Sequence, residues 1–156
     1  MHELEFIGVR MEMPANTPIM LLKEVEGERV IPIWIGAVEA TAIAYATQSV
    51  LPPRPMTHDL IANLFTAFGV RLVEVRISDL VDGTFHALLV FDNEVQVSAR
   101  PSDAVAIALR LEVPITATAQ VLAEAGFQMQ EDDDIDDDQV EKFRAFLDEI
   151  SPEDFQ

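Results

Sequence analysis

The chain has 156 residues, 49% of them apolar, and a formal charge of −18. That length accommodates one well-buried core, and that apolar content favours globular folding over disorder. With no cysteine in the sequence, disulfides, zinc–thiolate sites and cysteine nucleophiles are excluded.

The first segment, Met1-His2-Glu3-Leu4-Glu5, has no basic stretch with an apolar run behind it, so no signal peptide is expected. Apolar runs elsewhere are broken by charge or proline well short of a bilayer span. The expectation is a cytoplasmic protein without a membrane partner.

Ile7, Val9, Met11 and Met13 alternate with Gly8, Arg10 and Glu12, which predicts a half-buried strand. Asn16-Thr17-Pro18 marks a turn. Residues 19–25 read as a second strand, and Glu26-Gly27 turns the chain into a third over 29–35, where Ile31, Ile33 and Ile35 share a face. Pro32 has no N–H to give, so that strand should have an open edge there. Trp34 on the same strand reads as core or interface, because indole rings bury much apolar area.

Ala-rich residues 37–48 predict a helix after Gly36. Leu51-Pro52-Pro53-Arg54-Pro55 is a stiff extended connector. Thr57 then reads as an N-cap, with Leu60, Ile61, Leu64, Phe65 and Phe68 on one stripe and Gly69 as the stop. A meander follows. Val73, Val75 and Ile77 alternate with polar residues, Asp82-Gly83 signals a hairpin, and Phe85, Ala87, Leu89 and Phe91 line a face. Val95, Val97 and Ala99 complete a third strand after Asp92-Asn93, and His86 reads as a wall residue.

Arg100-Pro101-Ser102-Asp103 opens a helix to about Arg110 that is apolar nearly all round, hence buried on most sides. Val113-Pro114-Ile115 suggests a short strand, and a brief helix ends at Gly126. Composition then changes. Residues 1–126 hold 8 Lys and Arg against 16 Asp and Glu, whereas residues 127–156 hold 2 against 12. Residues 131–138 are a like-charge block expected to be an extended linker. Beyond it, Val140, Phe143, Leu147 and Ile150 recur at the spacing of an amphipathic helix.

Two groups of strands separated by helices predict an α+β fold, with mixed or antiparallel sheet packed against about four helices. The expected organisation is a domain over 1–130, an acidic linker over 131–138 and a C-terminal amphipathic helix and tail over 139–156. From open sheet edges the expectation is a homo-oligomer, with a dimer favoured.

Three predicted helices carry an acid in the first turn: Glu39, Asp59 and Asp103. His58 stands beside Asp59, and Arg54 and Arg100 lie just upstream of two of these starts. Convergence of the three beginnings would put carboxylates, an imidazole and guanidiniums around one cleft. Such a set suits phosphodiester hydrolysis: a divalent ion held by carboxylates activates water, and arginine binds phosphate oxygens in fork geometry. The bland alternative is real for each residue. First-turn acids are favoured by the helix dipole by about 0.3–1 kcal/mol, Ser102 and Asp103 could be simple caps, and Arg100 could be a structural ion-pair partner of Asp103 or Glu39. No Walker, dinucleotide-binding, HExxH or Gly-x-Ser-x-Gly pattern occurs, so no organic cofactor is expected.

Four stretches carry a resemblance. Pro32-Ile33-Trp34-Ile35-Gly36 with Glu39-Ala40, Arg54-Pro55-Met56-Thr57-His58-Asp59-Leu60, Gly83-Thr84-Phe85-His86-Ala87, and Ser98 to Arg110 with its Arg100-Pro101-Ser102-Asp103 core resemble the bifunctional nuclease family, in order, over about residues 3–127. The resemblance implies a compact α+β domain, and plant relatives are described as nucleases acting on DNA and RNA. The family's distinctive polar positions fall on Glu39, His58, Asp59, Arg100, Ser102 and Asp103. Plant relatives carry a small helical module near the C-terminus, where this chain is expected to have the acidic linker and one short helix instead.

Two functions compete on this reading. In a metal-assisted nuclease with loose sequence preference, Glu39, Asp59 and Asp103 would hold Mg²⁺ or Mn²⁺, since oxygen ligands favour hard cations. His58, Asp59, Arg100 and Asp103 would carry the chemistry, and Arg54, Arg100 and Ser102 would meet the nucleic acid. Only weak binding is expected of so acidic a chain. The alternative is a non-enzymatic anion- or nucleotide-binding module that recruits a partner through its C-terminal helix.

Overall fold

A computed structural model describes residues 1–128. The expected acidic linker and C-terminal helix lie outside the described residues. Elements run in the order β1 (His2–Glu12), β2 (Thr17–Glu24), β3 (Arg29–Trp34), α1 (Ala37–Thr47), α2 (Thr57–Ala67), β4 (Leu72–Val81), β5 (Thr84–Phe91), β6 (Gln96–Ala99), α3 (Pro101–Leu111), β7 (Ile115–Ala117), α4 (Ala119–Ala125) and β8 (Phe127–Gln128). The fold is α+β, as the sequence predicts, with four helices among the described residues.

All strands join one mixed sheet in the order β6-β5-β4-β7-β1-β2-β3-β8. The two antiparallel meanders, β1-β2-β3 and β4-β5-β6, are joined by β7. Its three residues are all buried. Ile115 pairs with Leu4 of β1 in an antiparallel ladder and with Val75 of β4 in a parallel one. The strand begins two residues later than Val113. Pro114 instead stands just ahead of it, its carbonyl accepting from Val75 N–H at 2.9 Å.

Strand β1 departs from simple alternation. The register with β2 shifts between Phe6 and Gly8, and Gly8 takes φ 145°, a conformation that suits a residue without Cβ. The bulge lets Leu4, Val9 and Met11 face the main core. Ile7 packs instead with Ile19, Leu21 and Val30 in a second, smaller cluster. Met13 lies beyond the strand and is exposed. In β4 a similar shift between Leu72 and Glu74 buries Leu72 and leaves Val73 outside.

Other patterns hold. Ile31, Ile33 and Ile35 enter the main core. Strand β8 pairs with β3 only at Arg29 and Val30, so the ladder on that side stops before Pro32. Asp82 and Gly83 both take positive φ, 51° and 78°, as a tight primed hairpin turn requires. Val95 and Val97 are exposed, because β6 is shorter than expected and forms the sheet edge.

Helix α3 packs against α1, α2 and the sheet, and its buried residues are Pro101, Ser102, Ala104, Val105, Ala106, Ile107 and Ala108. Small side chains on nearly every face allow those close approaches. Helix α2 corrects the expected stripe. Ile61 and Phe65 pack on the core, and the Phe65 ring meets Phe91 edge-on at 4.8 Å. Leu60, Leu64 and Phe68 are exposed. Residues at i, i+4 and i+8 form their own row about 100° from the next residue, and only one row reaches the core.

Candidate functional site

The three helix beginnings meet. Gly36, Met56 and Arg100 are the N-cap residues of α1, α2 and α3, all with extended backbone. Glu39, Asp59 and Asp103 therefore each occupy the third helical position. Thr57 is the first residue inside α2 and not its cap, and Ser102 is likewise inside α3. From the third position a carboxylate can turn back to the cap amide or reach sideways to a neighbouring helix.

Asp103 reaches sideways. Its Oδ1 lies 2.9 Å from His58 Nε2, bridging α3 and α2. Its Oδ2 accepts from Arg100 Nε at 2.9 Å, with Arg100 Nη2 2.8 Å away. The same Nη2 lies 3.0 Å from Glu39 Oε1 on α1. His58, Asp103, Arg100 and Glu39 thus form one connected chain across three helices. His58 is buried, Asp103 and Glu39 are partly covered, and Arg100 is 65% exposed in its side chain. The hydrogen bond to Asp103, with its charge, holds the Arg100 guanidinium above its ordinary pKa. Burial works the other way, and Glu39 adds to the rise.

Gly36 makes the approach of Glu39 possible. A Cβ at Gly36 would stand 2.3 Å from Glu39 Oε2, so the bare backbone is what lets that carboxylate fold over the start of α1.

Asp59 behaves differently. Its Oδ2 accepts from the Met56 amide at 3.0 Å, the capping role, and its Oδ1 accepts from Arg110 Nε at 2.7 Å. Burial pushes its carboxyl up, but the Arg110 and Met56 hydrogen bonds and the charges of Arg110 and His58 together bring it below the ordinary value. Arg110 also donates from Nη1 to the Ala106 carbonyl at 2.9 Å and is 10% exposed in its side chain. Two adjacent residues of α2 therefore bridge to two positions of α3, His58 to Asp103 and Asp59 to Arg110.

Sequence reasoning did not assign Arg110 a part in the site. The available signal was spacing: positions 103 and 110 lie two helical turns apart on one face of α3 with opposite charge. Arg54, by contrast, is exposed on the connector, outside the network. Trp34 is not core: it is 56% exposed, and its indole N–H donates to Glu12 Oε2 at 2.7 Å. His86 is exposed on β5, and His2, on β1, pairs with Ala117 and lies 3.9 Å from Glu24, outside the network.

Cavities border both His58 and Arg100. One of about 140 Å³ between α1 and α2 is lined by Thr41, Tyr45, His58 and Arg110, among others. The other, about 610 Å³, is lined by Trp34, Gly36, Phe85, Arg100 and Ser102, among others.

The donor set does not fit a resident divalent ion as arranged. Among the described residues no group of three or more His, Asp or Glu could hold a metal ion. Each expected ligand is matched to a side-chain cation: Asp59 to Arg110, and Asp103 and Glu39 to Arg100. An ion at Asp103 and Glu39 would have to displace the guanidinium between them.

The fold and this network define an α+β domain whose polar site is assembled from three helix beginnings linked by side-chain bridges. The family model described as bifunctional nuclease domain matches residues 20–130, and the chain belongs to that family. It is 52% identical over 162 aligned positions to an uncharacterized protein found in two strains of Mycobacterium tuberculosis, covering 100% of this chain and 99% of the relative. It is 22% identical over 117 positions to a protein named bifunctional nuclease 1 in rice, Oryza sativa subsp. japonica, covering 71% of this chain and 35% of that protein. No helix among the described residues is long and apolar enough to cross a membrane.

Proposed function

We propose that the chain is a cytoplasmic nuclease that hydrolyses phosphodiester bonds of DNA or RNA with loose sequence preference. Its family and the rice relative's name support the reaction class. The observation that carries it at the level of residues is the His58–Asp103–Arg100 relay.

In this reading the Asp103 carboxylate accepts from His58 Nε2–H and so fixes the tautomer that leaves a lone pair on Nδ1. Nδ1 takes a proton as a water oxygen forms its bond to phosphorus, and the phosphorus–oxygen bond to the leaving nucleoside breaks. The protonated imidazole, stabilised by Asp103, then returns a proton to the departing oxygen. Arg100, clamped from one side by two carboxylates, turns its remaining donors to the non-bridging phosphate oxygens. Ser102 lines the same cavity as Arg100, and Arg54 on the exposed connector meets a neighbouring phosphate. Asp59 is a positioning residue that holds the start of α2, and with it His58, against α3.

One observation favours the second reading, a non-enzymatic anion- or nucleotide-binding module: Glu39, Asp59 and Asp103 are already compensated by guanidiniums, so the site is closer to a charge-balanced receptor than to an ion cage. The homodimer expected from open sheet edges is also a proposal; β6 and the Pro32 end of β3 are the edges available, and light scattering reads the mass.

The test is cleavage of plasmid DNA and single-stranded RNA by wild type, His58→Asn and Arg100→Met, each with Mg²⁺, with Mn²⁺ and with chelator. The nuclease reading expects wild-type turnover and losses of about 100-fold or more in both variants. Equal turnover in wild type and His58→Asn, or none in either, removes it. Nucleotide binding by calorimetry without cleavage would then support the module.

A further inference from the structure

We infer that the Trp34–Arg100 cavity is a base-stacking subsite for single-stranded nucleic acid, with Trp34 as its platform. This deepens the nuclease reading and rests on it for the identity of the ligand.

Strand β3 sends Ile31 and Ile33 into the core and Ile35 follows just beyond it, so the position between them, Trp34, faces outward. More than half of the largest apolar side chain type stays in water, which is costly unless something covers it. The ring is not loose, because the hydrogen bond to Glu12 pins the indole N–H. A second aromatic residue, Phe85 from the β4–β5 hairpin side, lines the same cavity.

This lining is less hostile to a polyanion than the acidic surface around it. The described part of the chain is strongly acidic, and a polyanion is repelled from most of its surface. No carboxylate lines this cavity, and Arg100 is its one charged lining residue among the described residues. Arg100 engages Glu39 and Asp103 through Nε and Nη2, while Nη1 has no hydrogen-bond partner among the described residues. A guanidinium donor and a held, exposed indole on the wall of one cavity are the pairing that reads a nucleotide with no sequence demand, phosphate on one and base face on the other. Bases inside a duplex are already stacked on each other and do not present a face to the indole. The ligand is therefore a strand whose bases are free, of DNA or of RNA.

Trp34 is the sole tryptophan of the chain, so its fluorescence reports this site alone. The full chain is titrated with eight-nucleotide oligothymidylate, oligouridylate, a duplex of equal length, and an abasic phosphodiester strand of equal length and charge. The expected result is saturable quenching by both single strands and little by the duplex or the abasic strand. Binding of a labelled single strand, followed by anisotropy, should weaken about tenfold in Trp34→Ala and largely recover in Trp34→Phe. In cleavage of a single strand, Trp34→Ala should raise KM with kcat nearly unchanged. Absence of quenching, equal quenching by the abasic strand, or wild-type affinity in Trp34→Ala overturns the inference. Cleavage that persists with unchanged KM in Trp34→Ala sinks the subsite and leaves the nuclease standing. Quenching by single strands without any cleavage sinks the nuclease and leaves a single-strand binding site.

Discussion

Arg110 places its Nε 2.7 Å from Oδ1 of Asp59, joining the last turn of α3 to the first turn of α2. The pair is 51 residues apart in sequence and well covered on the arginine side. Removing the carboxylate leaves a nearly buried guanidinium short of an acceptor. Asp59→Ala should cost about 1–3 kcal/mol of stability, and Arg110→Met a similar amount. Because the two act through one bond, the double variant should lose less than the sum. Urea midpoints of the four proteins check this, and strict additivity would show the pair to be energetically idle.

Acid should weaken the domain through two named carboxylates. Glu24 is held below its ordinary value by the hydrogen bond from Arg29, against an opposing push from burial, and Asp59 is lowered on balance as described above. Both are depressed in the folded state, so the stability they contribute is fully present above the unfolded carboxylate's pKa. It is lost as the pH falls through the lower folded value. Urea midpoints measured from neutral pH downward should fall, and Glu24→Gln with Asp59→Asn should flatten that slope. A double variant with the wild-type acid slope would place the dependence elsewhere.

His58→Asn should lower kcat by about 100- to 10,000-fold while leaving the melting temperature within a few degrees. Asp103→Asn should do the same, since an amide in place of the carboxylate no longer fixes the imidazole tautomer. A large activity loss that tracks a large loss of melting temperature would assign both residues to architecture.

Gly36→Ala should free Arg100. The added Cβ collides with the Glu39 carboxylate end, which is flexible and moves away, breaking the 3.0 Å contact to Arg100. The exposed ion pair itself contributes at most about 1 kcal/mol, so folding should survive. With one competing carboxylate withdrawn, KM for an anionic strand should fall, and Glu39→Gln should reproduce it. A rise in KM in both variants would mean that Glu39 orients Arg100 instead of restraining it.

Much of this was legible in the sequence, because most elements have strong periodicity: the isoleucines of β3, the apolar α3 and the Asp82-Gly83 hairpin all appear where the pattern puts them. What escaped was set by contacts between distant segments. A bulge at Gly8 sends Ile7 to a different cluster from Val9, and no local pattern reveals where one residue is inserted. The row of Leu60, Leu64 and Phe68 has the spacing of a core face yet stays outside, because the neighbouring row of Ile61 and Phe65 is the one turned to the core. At the site the residue types are readable, but the meeting of the helix beginnings enters the sequence reading only as a condition. The partners are not readable: three acids near helix starts look alike in sequence, and only tertiary placement gives Asp59 to Arg110 and Asp103 to His58.

The short buried strand β7 has a consequence for how the molecule is made. Leu4 cannot meet Ile115 until nearly the whole domain has left the ribosome, so the two meanders emerge as separate hairpin sheets. Pairings so far apart along the chain are slow to form. Until β7 is in place, each meander presents an unpaired inner edge, β1 on one side and β4 on the other, to its neighbours in the cell.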